Sequence, residues 1–173
     1  MFTPTLRLIF VIIGIITAIF FYTEAMYSNM VMMLIASALF VYGYYKSGTV
    51  YAAFQQLKKQ NFKKAEALIS MIKNPDRLSK GQKSYYYFSK GIIDSEKEDW
   101  DNAYTNLIEA NRIGLRTKND TSIVLLNLAN VEFERKNYAS AANYIKHTKE
   151  FKLQPLIKTE LDKLEKAINS VQG

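Results

Sequence analysis

The chain has 173 residues, 49% of them hydrophobic and 23% charged, with 23 Lys and Arg against 16 Asp and Glu for a formal charge of +7. It holds no cysteine and one histidine, His147, which removes disulfides, cysteine-based metal sites, thiol nucleophiles, His-rich metal centres and histidine-based triads from consideration. Three prolines and seven glycines are too few turn-formers for a many-stranded sandwich or barrel, and a mean hydropathy of −0.13 averages over a very uneven chain.

From Leu8 to Tyr45 the only charged residue is Glu24. Two apolar runs, Leu8 to Thr23 and Ala25 to Tyr45, flank it. A helix needs roughly 20 apolar residues to cross about 30 Å of hydrocarbon. The first run reaches that length if Leu6 extends it and Arg7 snorkels to the headgroups. The pattern predicts an anchor over 1–45 with two antiparallel transmembrane helices at about 6–23 and 28–45 and a short turn around Glu24 to Asn29. Tyr22 and Tyr27 would mark one interface, and Tyr42, Tyr44 and Tyr45 the other. Gly14 and Ala18 facing Ala36, Ala38 or Gly43 would let the two backbones approach closely. A cleaved signal peptide fits less well, because its charged start is weak and a second apolar run follows. A buried hairpin of a soluble protein would show a polar face, which these runs lack.

Arg7 precedes the hairpin and Lys46, Lys58, Lys59, Lys63 and Lys64 follow it, whereas the turn carries no Lys or Arg. The positive-inside rule then puts both termini and the rest of the chain in the cytoplasm, with a bacterial inner membrane as the expected location. Residues 1–45 hold one Arg and one Glu, so the whole net charge lies after the hairpin. Lys46, Lys58, Lys59, Lys63 and Lys64 are candidate lipid-facing groups, since anionic lipids attract such side chains by about 1 kcal/mol each near the surface.

Residues 46–152 show no strand alternation but do repeat. Ala65, Ala103 and Ala141 are spaced by 38 residues. At the same step come Asn61, Asp99 and Asn137, then Phe62, Trp100 and Tyr138, then Ile69, Leu107 and Ile145, and the small residues Ala53, Gly91 and Ala129. Asn and Asp are good helix N-caps, an aromatic after the cap wedges between neighbouring helices, and the following Ala and apolar residue share one helical face. The small residue belongs on the preceding helix, where a close crossing excludes a large side chain. Each unit therefore reads as a helix, a tight turn and a second helix packed back on the first.

These columns resemble the tetratricopeptide repeat, in three units covering about 46–150. The resemblance implies antiparallel helix pairs stacked in a right-handed superhelix with a concave groove. The period departs from the family's, at 38 residues here against about 34, which calls for a longer second helix or loop. The family's Trp and Leu in the first helix are Thr49 and Ala52, Tyr87 and Lys90, and Leu125 and Leu128, and its closing proline is Arg77, Leu115 and Leu153. After the third unit, Pro155 is placed to open a final helix at its first position. The Ile157, Leu161, Leu164 and Ile168 stripe predicts that 153–173 caps the last repeat, a coiled-coil helix being the rival reading. The expected fold is all-α throughout.

Catalytic chemistry finds little support. Gly81 and Gly91 stand alone, so no phosphate loop is present. The acids Asp94, Glu96, Glu98, Asp99 and Asp101 lack the glycine and bidentate glutamate of a calcium loop, and Asn119-Asp120-Thr121 reads as a helix start rather than a glycosylation site. No cofactor, metal, nucleic acid or small-molecule substrate is expected. In the resembled family, peptide segments bind the inner face of each first helix. Carried over unit by unit, that face is Phe54 and Leu57 after Val50, then Tyr85, Phe88 and Ile92, then Leu126, Asn127, Asn130 and Phe133. Val50 and Phe54 stand where the carboxylate-clamping version of the groove needs lysine and asparagine, which argues against that type of tail binding. The sequence thus points to a non-enzymatic, membrane-anchored scaffold whose groove takes a protein or peptide partner. The alternative is an accessory structural subunit of a larger membrane complex for secretion, envelope biogenesis or respiratory assembly.

Overall fold

The computed structural model describes residues 4–172, the side chains of 4–8, 43–48 and 172 excepted. Among the described residues every regular element is helical, and the chain divides into two compact units, 1–52 and 53–173. The first holds α1 (Pro4–Thr23) and the start of α2 (Tyr27–Lys58). Between them Ala25 takes a left-handed conformation at φ 55, and the Met26 amide reaches back to the Phe21 carbonyl at 2.9 Å, closing α1 as a Schellman cap does. The seam between the helices is narrow. A methyl group on Gly14 would lie 2.2 Å from Ser37 Oγ, so only glycine lets the backbones meet there. Ala18 and Ser37 are the buried residues of the seam, and the Phe10 and Phe40 rings stack at 5.5 Å. The expected small partners differ in detail: Ala38 is exposed and Ala36 half-buried, so Ser37 fills the position opposite Gly14. Arg7, Gly43, Tyr44, Tyr45 and Lys46 lie outside the residues whose side chains are described.

No helix among the described residues is long and apolar enough to cross a membrane. Across the expected boundary between residues 45 and 46, α2 continues unbroken to Lys58. Glycines at 43 and 48 weaken the helix by roughly 1 kcal/mol each relative to alanine, but no proline intervenes to stop it.

The second unit is a series of helix–turn–helix pairs. The end of α2 leads into α3 (Phe62–Ser70), α4 (Lys80–Glu96) into α5 (Trp100–Ile113), and α6 (Lys118–Glu134) into α7 (Tyr138–Lys149). The repeating columns fall where helix chemistry puts them. Asn61, Asp99 and Asn137 are the N-caps of α3, α5 and α7. The side chains of Asn61 and Asp99 accept the amides of Lys64 and Asn102, each at 3.4 Å. Ala65, Ala103 and Ala141 are completely buried, as are Ala53 and Ala129. At Gly91 a Cβ would come within 2.7 Å of Leu107 Cγ and 3.2 Å of its backbone nitrogen, so α4 and α5 cross with no room for a side chain. The surplus of the 38-residue period is absorbed differently in successive units. After the short α3, a 3-10 turn at Pro75–Arg77 bridges to α4, whereas α4 and α5 are themselves 17 and 14 residues long and meet α6 through Gly114 at φ 92.

α3 packs on α4, α5 on α6, and α8 (Pro155–Gln172) lies against both α6 and α7. Ile157, Leu161, Leu164 and Ile168 of α8 are all buried. Leu161, Leu164 and Ile168 join Ala129, Ala141 and Ile145 in one apolar cluster, and Phe54, Phe88, Leu107, Val124 and Leu128 belong to another.

One further column emerges from the backbone. Gln60, Glu98 and Lys136, again 38 apart, have φ of 57, 59 and 62. In each turn the next residue's amide reaches the carbonyl five residues back, Asn61 to Gln56 at 2.9 Å, Asp99 to Asp94 at 3.0 Å and Asn137 to Glu132 at 2.8 Å. These are Schellman caps without glycine, and an L-residue pays about 1–2 kcal/mol for the left-handed well. Glu98→Gly is expected to raise stability by about 0.5–1 kcal/mol, the relief being partly offset by the freer unfolded chain. Urea unfolding followed by circular dichroism reads this directly, and a lowered midpoint would contradict it.

Candidate interaction surface

The residues expected to line a groove divide into buried and accessible sets. Phe54 and Phe88 are 8% and 3% exposed, and their rings lie 5.7 Å apart inside the cluster that contains Leu107, Val124 and Leu128. Both hold adjacent units together and neither lines an open face, a correction to the sequence expectation. The reason is geometric: a first helix inside a stack is covered both by its own second helix and by its neighbours, so only a narrow stripe stays open. Leu57, Tyr85, Ile92, Leu126, Asn127 and Phe133 are half-buried, and Asn130 is exposed. Leu126 and Phe133 pack against the cluster that α8 completes, with Phe133 5.6 Å from Tyr138. The Asn127 amide donates to the Ile123 carbonyl at 2.8 Å, so of the two asparagines only Asn130 presents its amide outward.

Polar groups knit the helices beneath this stripe. The Tyr85 hydroxyl donates to Asp120, and its ring meets Phe54 edge-on at 5.0 Å. Burial first, and then the Asp120 bond, push the Tyr85 phenol well above its usual range. Asp120 is itself buried near the start of α6, where it accepts from Thr117 Oγ1 at 2.8 Å while its amide donates back to that oxygen at 3.0 Å. This reciprocal pair caps α6, so the Asn119-Asp120-Thr121 stretch does open a helix.

The acids of the α4–α5 turn are spent on similar tasks. Asp99 caps α5, Asp94 accepts from Asn106 at 2.7 Å, and Asp101 pairs with Arg135 at 3.0 Å. Among the described residues no grouping of acids and histidine is arranged to hold a metal ion. His147 is exposed on α7, its Nδ1 3.3 Å from Glu150.

Two cations escaped the sequence reading, although their 38-residue spacing was there to be seen. Lys97 closes α4 and pairs with Glu66 of α3. Arg135 closes α6, reaches Asp101 of α5, and lies over the Tyr104 ring at 4.7 Å. Arg135 also bonds Glu132 Oε1 at 3.1 Å. Glu132 is 2% exposed and its second oxygen has no partner among the described residues, so this guanidinium is the main compensation for a buried carboxylate. Of the lysines expected to face lipid, Lys58, Lys59, Lys63 and Lys64 are exposed, and the side chain of Lys46 is outside those described.

No family model, no curated protein and no solved structure matches the chain.

Removing the cation beside Glu132 leaves a buried charge unpaired. Arg135→Ala is expected to cost about 3 kcal/mol, read as a drop in the urea midpoint, whereas a loss below about 1 kcal/mol would mean that water replaces the guanidinium. Asp94 behaves in the opposite sense with pH. Burial, opposed by the Asn106 bond, holds its carboxyl above the ordinary carboxylate range. The folded state therefore takes up a proton before the unfolded chain does, and the penalty of the buried charge, complete at neutral pH, is relieved as the pH falls through the raised value. Asp94→Asn keeps an acceptor for Asn106 and is expected to be the more stable protein at about pH 7, with the gap closing on acidification. Denaturation midpoints of both proteins across a pH series test this, and a gap that widens in acid would refute it.

Proposed function

We propose that this chain is a non-enzymatic scaffold, anchored by its N-terminal hairpin and carrying a tetratricopeptide-like stack that recruits or assembles protein partners at the cytoplasmic face of a bacterial inner membrane. The observation that carries the proposal is the surface of the hairpin. Ile12, Ile16 and Phe20 along α1 and Met32 and Leu39 along α2 are each more than half exposed, while the residues buried between the two helices are the small Ala18 and Ser37. An apolar surface of that extent is not left in water by a folded protein, and residues 6–8 and 43–45 bring each run to spanning length in the sequence.

The hydroxyls inside the hairpin fit a bilayer too. Thr17, Thr23 and Ser37 donate to Ile13, Phe20 and Met33 carbonyls at 2.8, 2.7 and 2.9 Å, which satisfies each within its own helix, as a solvent without hydrogen bonds demands. In the second unit, polar groups are occupied in capping and bridging, which suits recognition by shape rather than bond chemistry. Such an anchor would confine partners to a plane and raise their effective concentration.

The full chain is expected to stay in the membrane pellet after alkaline carbonate extraction, and Ile12→Lys with Ile16→Lys is expected to abolish that retention. Recovery of the parent chain in the carbonate supernatant would refute the anchor. Mild detergent then separates the two modes of assembly. A small particle with exchangeable partners fits the adaptor, and a stoichiometric large complex fits a permanent accessory subunit.

A further inference from the structure

The three first helices end in the same geometry, so their closing turns can be compared position by position. The cap residue is Lys59, Lys97 or Arg135. Lys97 and Arg135 each reach a carboxylate on the second helix of the preceding pair, Glu66 on α3 and Asp101 on α5. Four residues before the cap stand Gln55, Ile93 and Val131. Ile93 and Val131 are buried, and Val131 clusters with Ala103, Leu107 and Ala110 of α5, whereas Gln55 is polar and half-buried. The same helix face that receives the preceding pair in later units is thus polar and basic in the first. Lys59 is exposed and pairs with no acid among the described residues, and within the second compact unit no helix precedes it.

The charge around Lys59 is also uncompensated. The first turn, residues 58–64, contains four lysines and no acid, whereas 96–102 contains four acids and one lysine. The Lys58 ammonium rests over the Phe54 ring at 4.7 Å, and Lys63 and Lys64 stand exposed in the first turn of α3 with no ion pair among the described residues. Cations there oppose the helix macrodipole, and the matching residues of α5 are Asp101 and Asn102. A polar terminal face that keeps a repeat stack soluble accounts for Gln55. It does not account for four cations of one sign within seven residues, two of them, Lys63 and Lys64, placed against the dipole of α3, since mixed charge solubilises as well and repels less. Local rules broken without a compensating contact mark functional surfaces.

We propose that the first turn of the stack is a docking surface for an acid-bearing helix of a partner protein, with Lys59 taking there the part that Lys97 and Arg135 take inside the chain. The partner helix lies where a preceding second helix would, its carboxylate on Lys59 and further acids near Lys63 and Lys64. This inference rests on the scaffold reading for a protein partner but not for its membrane anchor, so a chain that fails carbonate retention and still binds the probe separates the two.

The probe is a labelled peptide of residues 99–114, an acid-bearing second helix of this chain itself, titrated with the detergent-solubilised full chain and read by fluorescence anisotropy. Saturable binding that weakens with salt is expected, with Lys59→Glu plus Lys63→Glu lowering affinity at least about tenfold. A peptide carrying Asp101→Lys is expected to recover binding to that variant. All these side chains are exposed, and circular dichroism confirms that the variant is folded. Absence of binding, equal affinity for parent and variant, or a loss of binding to phosphatidylglycerol vesicles with no peptide binding by the parent would each overturn the proposal.

Discussion

Close approach between paired helices is the constraint on which the second unit depends. At Gly91 the α4 backbone comes so near Leu107 that a single methyl group would collide with side chain and backbone together. Ala53 and Ala129 hold the corresponding positions with no exposed surface, and Ala65, Ala103 and Ala141 do the same from the second helices. Small residues at these crossings allow Ile69, Leu107 and Ile145 to be enclosed one per pair, and the interior is filled by contact density rather than by bulk. The turn then has to be short and fixed, which the left-handed residue followed at once by an N-cap achieves. Crossing and turn thus constrain each other, and both recur every 38 residues.

Between pairs the adhesive changes character. Apolar contacts across the stack are supplemented by polar groups drawn from the helix ends: Lys97 to Glu66, Arg135 to Asp101, and the Tyr85 hydroxyl to Asp120. Exposed ion pairs contribute little on their own, but Glu132 and Asp120 are buried, and a buried carboxylate tolerates only a fixed register of donors. The apolar columns bring neighbouring units together, and these pairs set how they are aligned.

How much of this was legible depends on how local the cause is. Caps, aromatics and alanines at the turns are determined by a few neighbouring residues, so their columns could be read from the sequence and fall on α3, α5 and α7. The α8 stripe was legible for the same reason, through its helical period. Side-chain accessibility was not. Phe54 and Phe88 share the helical spacing of an open face, but their burial follows from neighbours on other helices, which no local pattern encodes. The left-handed column escaped because Gln60, Glu98 and Lys136 carry no glycine signature. The continuation of α2 past residue 45 carries no sequence signal, because the composition changes there while the backbone hydrogen bonds of a helix are indifferent to that change.

The placement of α8 has a consequence for how the protein comes apart. It lies against α6 and α7, and the other pairs are joined chiefly to their sequence neighbours. In such a quasi-one-dimensional array, stability is a sum of pair energies and nearest-neighbour interfaces, and opening from an end costs less than opening in the middle. With α8 seated on the last pair, the easy route from that end is closed. Amide exchange across the array then becomes asymmetric, with slow exchange extending toward the C-terminal pairs and the fastest opening in the short α3 and the 3-10 linker that follows it.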